Sequence, residues 1–188
     1  MKQTEIVGYK RANLGKRDAQ ALRHEAMVPC VLYGGEEQIH FAAPMFLFRD
    51  VLFTPNVYVV LLNIQGTEYR AILQDVQFHP VSDIILHADF LLIREGKEIK
   101  VSVPVRFTGA APGVLGGGKL SQKMNKIRVQ GMAENIPDFI DIAIDKLELG
   151  KTIKIGTIVP VGFKVLESAS NPIVSIEIPR ALRGTLKA

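Results

Sequence analysis

Two short stretches hold the side chains best suited to chemistry, Gln74-Asp-Val-Gln-Phe-His-Pro80 and His87-Ala-Asp89-Phe90. On an extended strand His87 and Asp89 point to the same face, because side chains alternate with period two. Together with His79 they offer three potential metal ligands. A metal site needs three or four ligands in a fixed geometry, and the spacing gives no reason for His79, in a turn segment, to converge on the other two. No serine, lysine or cysteine lies in a recognisable nucleophile motif. The single cysteine, Cys30, stands beside Val28 and Val31 and reads as a buried small hydrophobe. Asp138, Asp141 and Asp145 read as a solvated acidic edge. No catalytic residue, cofactor or metal is therefore expected. The same polar groups suit recognition better: Gln74, His87, Asp89 and Tyr33 supply donors, acceptors and a stacking ring on short, stiff strands. If hairpin pairing sets Gln74 across from Asp89, one polar patch forms. Such a rigid surface matches the wide, shallow minor groove of an RNA duplex, with its 2′-hydroxyls and base edges.

The distribution of charge points the same way. The first 24 residues hold six basic side chains (Lys2, Lys10, Arg11, Lys16, Arg17, Arg23) against Glu5 and Asp18, and this difference of +4 equals the net charge of the whole chain. A second basic block comprises Lys97, Lys100, Arg106, Lys119, Lys123, Lys126 and Arg128 against Glu98; an acidic stretch from Glu134 to Glu148 follows. Basic residues gathered into blocks suit a polyanionic partner, of which nucleic acid is the commonest. Arg11, Lys16, Arg17 and Arg23 are placed to clamp phosphates beside the strand patch. Gly15, at the start of a helix, can bring backbone N–H groups near a phosphate as well.

The elements that must position these groups follow from the hydrophobic pattern. With 47% hydrophobic and 22% charged residues, the 188-residue chain is an ordinary globular sequence, neither disordered nor coiled coil. It has no apolar run of the roughly 20 residues needed for a membrane helix, and its amino terminus lacks the apolar stretch of a secretory signal, so a cytoplasmic location is expected. A strand is expected at Thr4–Lys10, a helix at 16–26 with Ala19, Leu22 and Ala26 on one stripe, and a strand from Met27 to Tyr33, ending at Gly34-Gly35. A short strand at Ile39–Ala42 then leads into a second helix, from Pro44 to about Phe53, apolar on most sides and expected to be buried. Strands at 57–64, 68–78 and 84–93 form a meander of hairpins. The polar hinge at 94–98 precedes a regular alternation of Ile99, Val101, Val103, Val105 and Phe107, and it predicts a domain boundary that divides the chain into 1–94 and 95–188. In the second half, strands are expected at 126–131, 139–144, 152–155 and 173–178. Gly109 to Gly113 and Gly116-Gly-Gly118 match no phosphate-binding motif and read as a mobile loop, and Arg180–Ala188 as a frayed end. The fold class is thus mainly β with a few helices: an N-terminal β-barrel-like domain with two helices and a C-terminal β-rich domain.

A family resemblance rests on many of these residues at once. Gly15-Lys16, Leu22-Arg23, Val28-Pro29, Leu32-Tyr33-Gly34-Gly35, Gln74-Asp75-Val76-Gln77, His79-Pro80 and His87-Ala88-Asp89-Phe90 resemble the bacterial large-subunit ribosomal protein family number twenty-five. Val103-Pro-Val105, Thr108-Gly109, Gly113-Val114, Gly116-Gly-Gly118, Ile136-Pro137, Leu147 to Gly150 and Pro172-Ile-Val174 resemble its long form, the general stress protein CTC type. The resemblance implies a non-enzymatic constituent of the large subunit whose first domain binds 5S ribosomal RNA in the central protuberance, present as a single copy per ribosome in the cytoplasm. The second domain would meet neighbouring ribosomal proteins or RNA. By the same resemblance the RNA-contacting positions are Arg11, Lys16, Arg23, Tyr33, Gln74, His87 and Asp89, with Gln77 added if a bulge turns it to the face of Gln74, and with Arg17 as a compensating cation. Gln20 and Ala21 stand where the family commonly carries two arginines, a loss of two phosphate contacts. A stress-related adaptor working through the acidic stretch, with a mainly protein partner, and a metal-dependent enzyme built on His79, His87 and Asp89 are the competing readings.

Overall fold

The computed structural model describes residues 1–179; the frayed end expected at 180–188 lies outside the described residues. The chain divides into two compact units, one spanning Met1–Lys97 and one beginning at Glu98.

The first unit is a closed six-stranded barrel. Its strands are β1 (Lys2–Lys10), β2 (Met27–Tyr33), β3 (Ile39–Pro44), β4 (Tyr58–Ile64), β5 (Thr67–Phe78) and β6 (Ile85–Leu92), arranged β1-β3-β2-β6-β5-β4. Parallel pairing of β1 with β4 closes the ring. Alternation along each strand sends one set of side chains inward, where Ile6, Val28, Leu62 and Val60 surround Phe41, Phe48 and Phe90. The Phe90 ring lies 5.8 Å from Phe41 and 6.1 Å from Phe48, tilted against both, a favourable arrangement of aromatic quadrupoles. Cys30 is wholly buried here, and desolvation pushes its thiol far above the ordinary range, so it packs as a hydrophobe.

Two helical segments depart from expectation. Helix α1 (Lys16–His24) stops two residues before Ala26, which takes a left-handed backbone (φ 56°) and whose carbonyl accepts the Met45 N–H, turning the chain into β2. The expected second helix is shorter and less buried. Pro44 ends β3, a 3-10 turn follows at Met45–Phe48, and α2 covers only Arg49–Leu52. A single turn of each type aims just one ring, Phe48, fully inward, and it leaves Phe46 at 75% and Phe53 at 71% exposure.

The second unit comprises β7 (Ile99–Thr108), helix α3 (Pro112–Leu115), β8 (Lys119–Gln122), β9 (Lys126–Gly131), β10 (Ile140–Ala143), β11 (Thr152–Lys154), β12 (Phe163–Val165) and β13 (Pro172–Glu177). They form a four-stranded sheet ordered β10-β7-β9-β12 and a three-stranded sheet ordered β11-β13-β8. The alternation along β7 buries Ile99, Val101 and Val103 as expected. The glycine-rich segment is a packed element rather than a mobile loop. Gly113 donates its N–H to the Leu147 carbonyl, and a Cβ there would lie 2.6 Å from the Glu148 backbone carbon and 2.7 Å from Ile176. Gly118 is equally hemmed in by Ile176, the Gly113 carbonyl and Leu149. These glycines let α3 sit directly on the cluster of Ala111, Ile144, Leu147, Val174 and Ile176. Strands β8 and β12, four and three residues long, lie outside the strands expected from the sequence.

Candidate nucleic-acid interface

Strands β5 and β6 carry Gln74 to Phe78 and His87 to Phe90. Between β5 and β6 the register is Leu73↔Phe90, then Asp75↔Asp89, then Gln77↔His87, with a shift between Leu73 and Asp75. Gln74 is thus the extra residue of a β-bulge, and Asp75, not Gln74, faces Asp89. A bulge sets two residues of one strand against one of its partner, so Gln74 and Asp75 both turn toward the side on which Asp89 lies. Directly paired residues share a face, which places Gln77 beside His87 on that same side. The outer surface of β5 and β6 therefore gathers Gln74, Asp75, Gln77, His87 and Asp89, while Val76, Ala88 and Phe90 pack on the barrel interior. Asp75 was not among the expected residues. Its signal was present nonetheless, since it shares the parity of Gln77 on any regular strand.

The His87 Nδ1 stands 2.6 Å from the Asp89 Oδ1, and each side chain keeps about a third of its surface open to solvent. Each thus holds the other in one orientation while presenting its remaining polar atoms outward. Tyr33, on the neighbouring strand β2, is half-buried; its phenol is pushed above its ordinary range by burial and by the negative charges of Asp89 and Asp75. It remains a hydrogen-bond donor throughout the neutral range. His79 faces its own turn, where its Nδ1 accepts the Ser82 N–H at 3.2 Å and meets the Ser82 hydroxyl at 3.0 Å. Among the described residues no group of three His, Cys, Asp or Glu side chains is placed to hold a metal ion.

The four cations of the amino-terminal block expected to clamp phosphates separate into two pairs. Arg11 is only 9% exposed and joins Asp18 of α1 at 2.8 Å through Nη2 and 3.3 Å through Nε. Its own backbone N–H reaches the His40 carbonyl. Arg23 donates from Nε to the Leu86 carbonyl at 3.0 Å, tying α1 to the start of β6. Both guanidinium groups thus fix the helix against the barrel. Lys16 and Arg17, by contrast, are exposed in the first turn of α1, next to an extended Gly15 that leaves the helix start without a side-chain cap. Gln20 and Ala21 are exposed as well.

A closed barrel bearing a bulged polar strand face, followed in the chain by a β-rich unit, defines the class of protein. Residues 6–90 match the Ribosomal L25p family and residues 98–180 match the C-terminal domain of ribosomal protein TL5. The chain is 48% identical to the large ribosomal subunit protein bL25 of Cytophaga hutchinsonii over 97% of its own length and 95% of that protein. It is 45% identical to bL25 of Amoebophilus asiaticus, covering 97% and 93%, and 39% identical to that of Porphyromonas gingivalis, covering 98% and 97%. The chain belongs to the ribosomal L25p family, in the form that carries the TL5 C-terminal domain. No helix among the described residues is long and apolar enough to cross a membrane.

Proposed function

We propose that this protein is a structural component of the large ribosomal subunit whose first unit, the barrel, binds 5S ribosomal RNA in the central protuberance. The observation that carries this reading is the bulge at Gln74, which brings Gln74, Asp75, Gln77, His87 and Asp89 onto one stiff outer face. Family membership supports the ribosomal setting, since the relatives are named as large-subunit proteins. In this reading the strand face meets base edges and 2′-hydroxyls in the minor groove, with Tyr33 donating from its flank. Lys16 and Arg17, with the uncapped start of α1, hold phosphates, while Arg11 and Arg23 act mainly by keeping that helix in place. Binding needs no cofactor and involves no catalytic step; the protein works as one copy per cytoplasmic ribosome, and the second unit is a separate domain with its own contacts.

The deciding experiment compares binding of the full chain to 5S ribosomal RNA and to an unrelated structured RNA of equal length across a salt series. Tight binding to the first alone, surviving moderate salt, is the expected result. Equal, salt-labile binding to both would leave only non-specific attraction and refute the reading.

A further inference from the structure

The second basic block, Lys97 to Arg128, is divided by the fold. Three of its members are neutralised: Arg106 grips Asp141 through Nε at 2.6 Å and Nη2 at 2.9 Å while lying over the Phe139 ring, Lys123 meets Glu177 at 2.8 Å, and Arg128 reaches Glu167 at 3.5 Å. Lys100 and Lys126 are exposed and, among the described residues, form no ion pair.

Sheet register shows where these free cations stand. Lys100 of β7 is opposite Gln130 of β9, and Gln130 is opposite Lys164 of β12, so Lys100 and Lys164 flank one glutamine in a single row across three strands. Arg128, opposite Ser102, and Lys126, opposite Pro104, continue the same face along β9. The alternate residues Val101, Val103, Ile127 and Val129 are buried, which sends all four cations to the solvent side. Strand spacing and rise put them on a patch about 10 Å by 13 Å. Three carboxylates share the face: Glu98 accepts from the Gln130 side chain at 2.6 Å, Glu167, at 11% exposure, sits beneath Arg128, and Asp141 is engaged by Arg106. Lys164 lies outside the block in sequence and likewise has no ion-pair partner among the described residues. Only the sheet brings it there.

We propose that this face of the four-stranded sheet is a second RNA-binding surface that takes the phosphate backbone of a ribosomal RNA helix without reading its bases. Cations spaced along stiff neighbouring strands suit a regular polyanion. The inference goes beyond the reading of the barrel and is tested separately from it.

The probe is a mixed-sequence RNA duplex unrelated to 5S RNA, titrated with the full chain over a potassium chloride series. The triple variant Lys100→Gln, Lys126→Gln, Lys164→Gln is compared with a control triple of equal charge loss, Lys146→Gln, Lys151→Gln, Lys154→Gln, all exposed and none on a strand of the four-stranded sheet. The face triple is expected to lower the slope of log affinity against log salt by about three, roughly one per phosphate contact, and the control by much less. Equal slopes for the two triples would overturn the proposal. An unchanged RNA slope combined with weaker retention on large subunits would also overturn it, by assigning the face to an acidic protein. Single substitutions, each expected to remove about one unit of slope, serve if the triple is poorly folded. Loss of 5S preference by the intact protein with the face effect preserved would remove the barrel reading alone.

Discussion

His87 and Asp89 illustrate how a strand pair works as one group. Because each orients the other at 2.6 Å, His87→Ala and Asp89→Ala are expected to act alike, each lowering the preference for 5S RNA over an unrelated RNA by roughly tenfold, with the salt slope unchanged. Lys16→Ala and Arg17→Ala should instead weaken binding to every RNA and lower the slope by about one each. Competition filter binding with both RNAs at several salt concentrations checks the division; equal losses on every RNA for all four variants would remove it. Tyrosine ionisation offers a test that needs no RNA. Hydrogen bonds from Thr54 and Asn56 hold the Tyr58 phenol below its ordinary range, whereas burial and the charges of Asp89 and Asp75 hold that of Tyr33 above it. In an ultraviolet titration Tyr58→Phe should therefore remove the early part of the tyrosinate rise and Tyr33→Phe the late part. The folded state favours protonated Tyr33, so its contribution to stability is intact below the ordinary tyrosine range and is lost as pH climbs past it.

At the scale of elements, α1 depends on a few anchors rather than on a buried stripe, since none of its residues is fully buried. Arg23→Ala removes the bond to the Leu86 carbonyl and should cost about 1 kcal/mol, seen as faster hydrogen exchange in α1 and weaker binding to all RNAs alike. A phosphate-contacting Arg23 would lower the salt slope with no change in exchange, which is the outcome that contradicts this role. The packed glycines make a second case. Gly118→Ala drives a methyl group into Ile176 and the Gly113 carbonyl, and denaturant unfolding should show a loss of about 1–3 kcal/mol. A mobile loop would accept the same change at little cost. The glycine cluster was visible in the sequence, but its tight packing was not, because the groups that crowd Gly118 include Ile176, far along the chain. The short helical segment after Pro44 is a similar case. Its apolar residues were legible, yet which of them point inward depended on the tight 3-10 turn, which aims Phe48 inward and leaves Phe46 exposed.

Across the whole molecule, the barrel and the second unit each have an apolar cluster of their own, one around Phe41, Phe48 and Phe90 and one around Ile144, Leu147, Val174 and Ile176. Phe48→Ala should cost about 3–5 kcal/mol, with lost exchange protection confined to the barrel; loss spread equally over residues beyond Glu98 would show that the two units unfold together. Much of this organisation could be read from the chain alone. Period-two alternation in stretches such as 99–107 gives strands and their buried faces, because a strand's geometry is local and repeats every second residue. Parity likewise puts His87 and Asp89 on one side, and the flanking valines mark Cys30 as core. Tertiary pairing decided the rest. Strand parity alone separates Gln74 from Gln77, and only the bulge against β6 reunites them; only contacts with Asp18 and Leu86 convert Arg11 and Arg23 from free cations into anchors; and only the order of the second sheet brings Lys164 beside Lys100. The reason is common to all three: alternation is a property of one strand, whereas register and ion pairing belong to two segments distant in sequence, and nothing within either segment specifies the other.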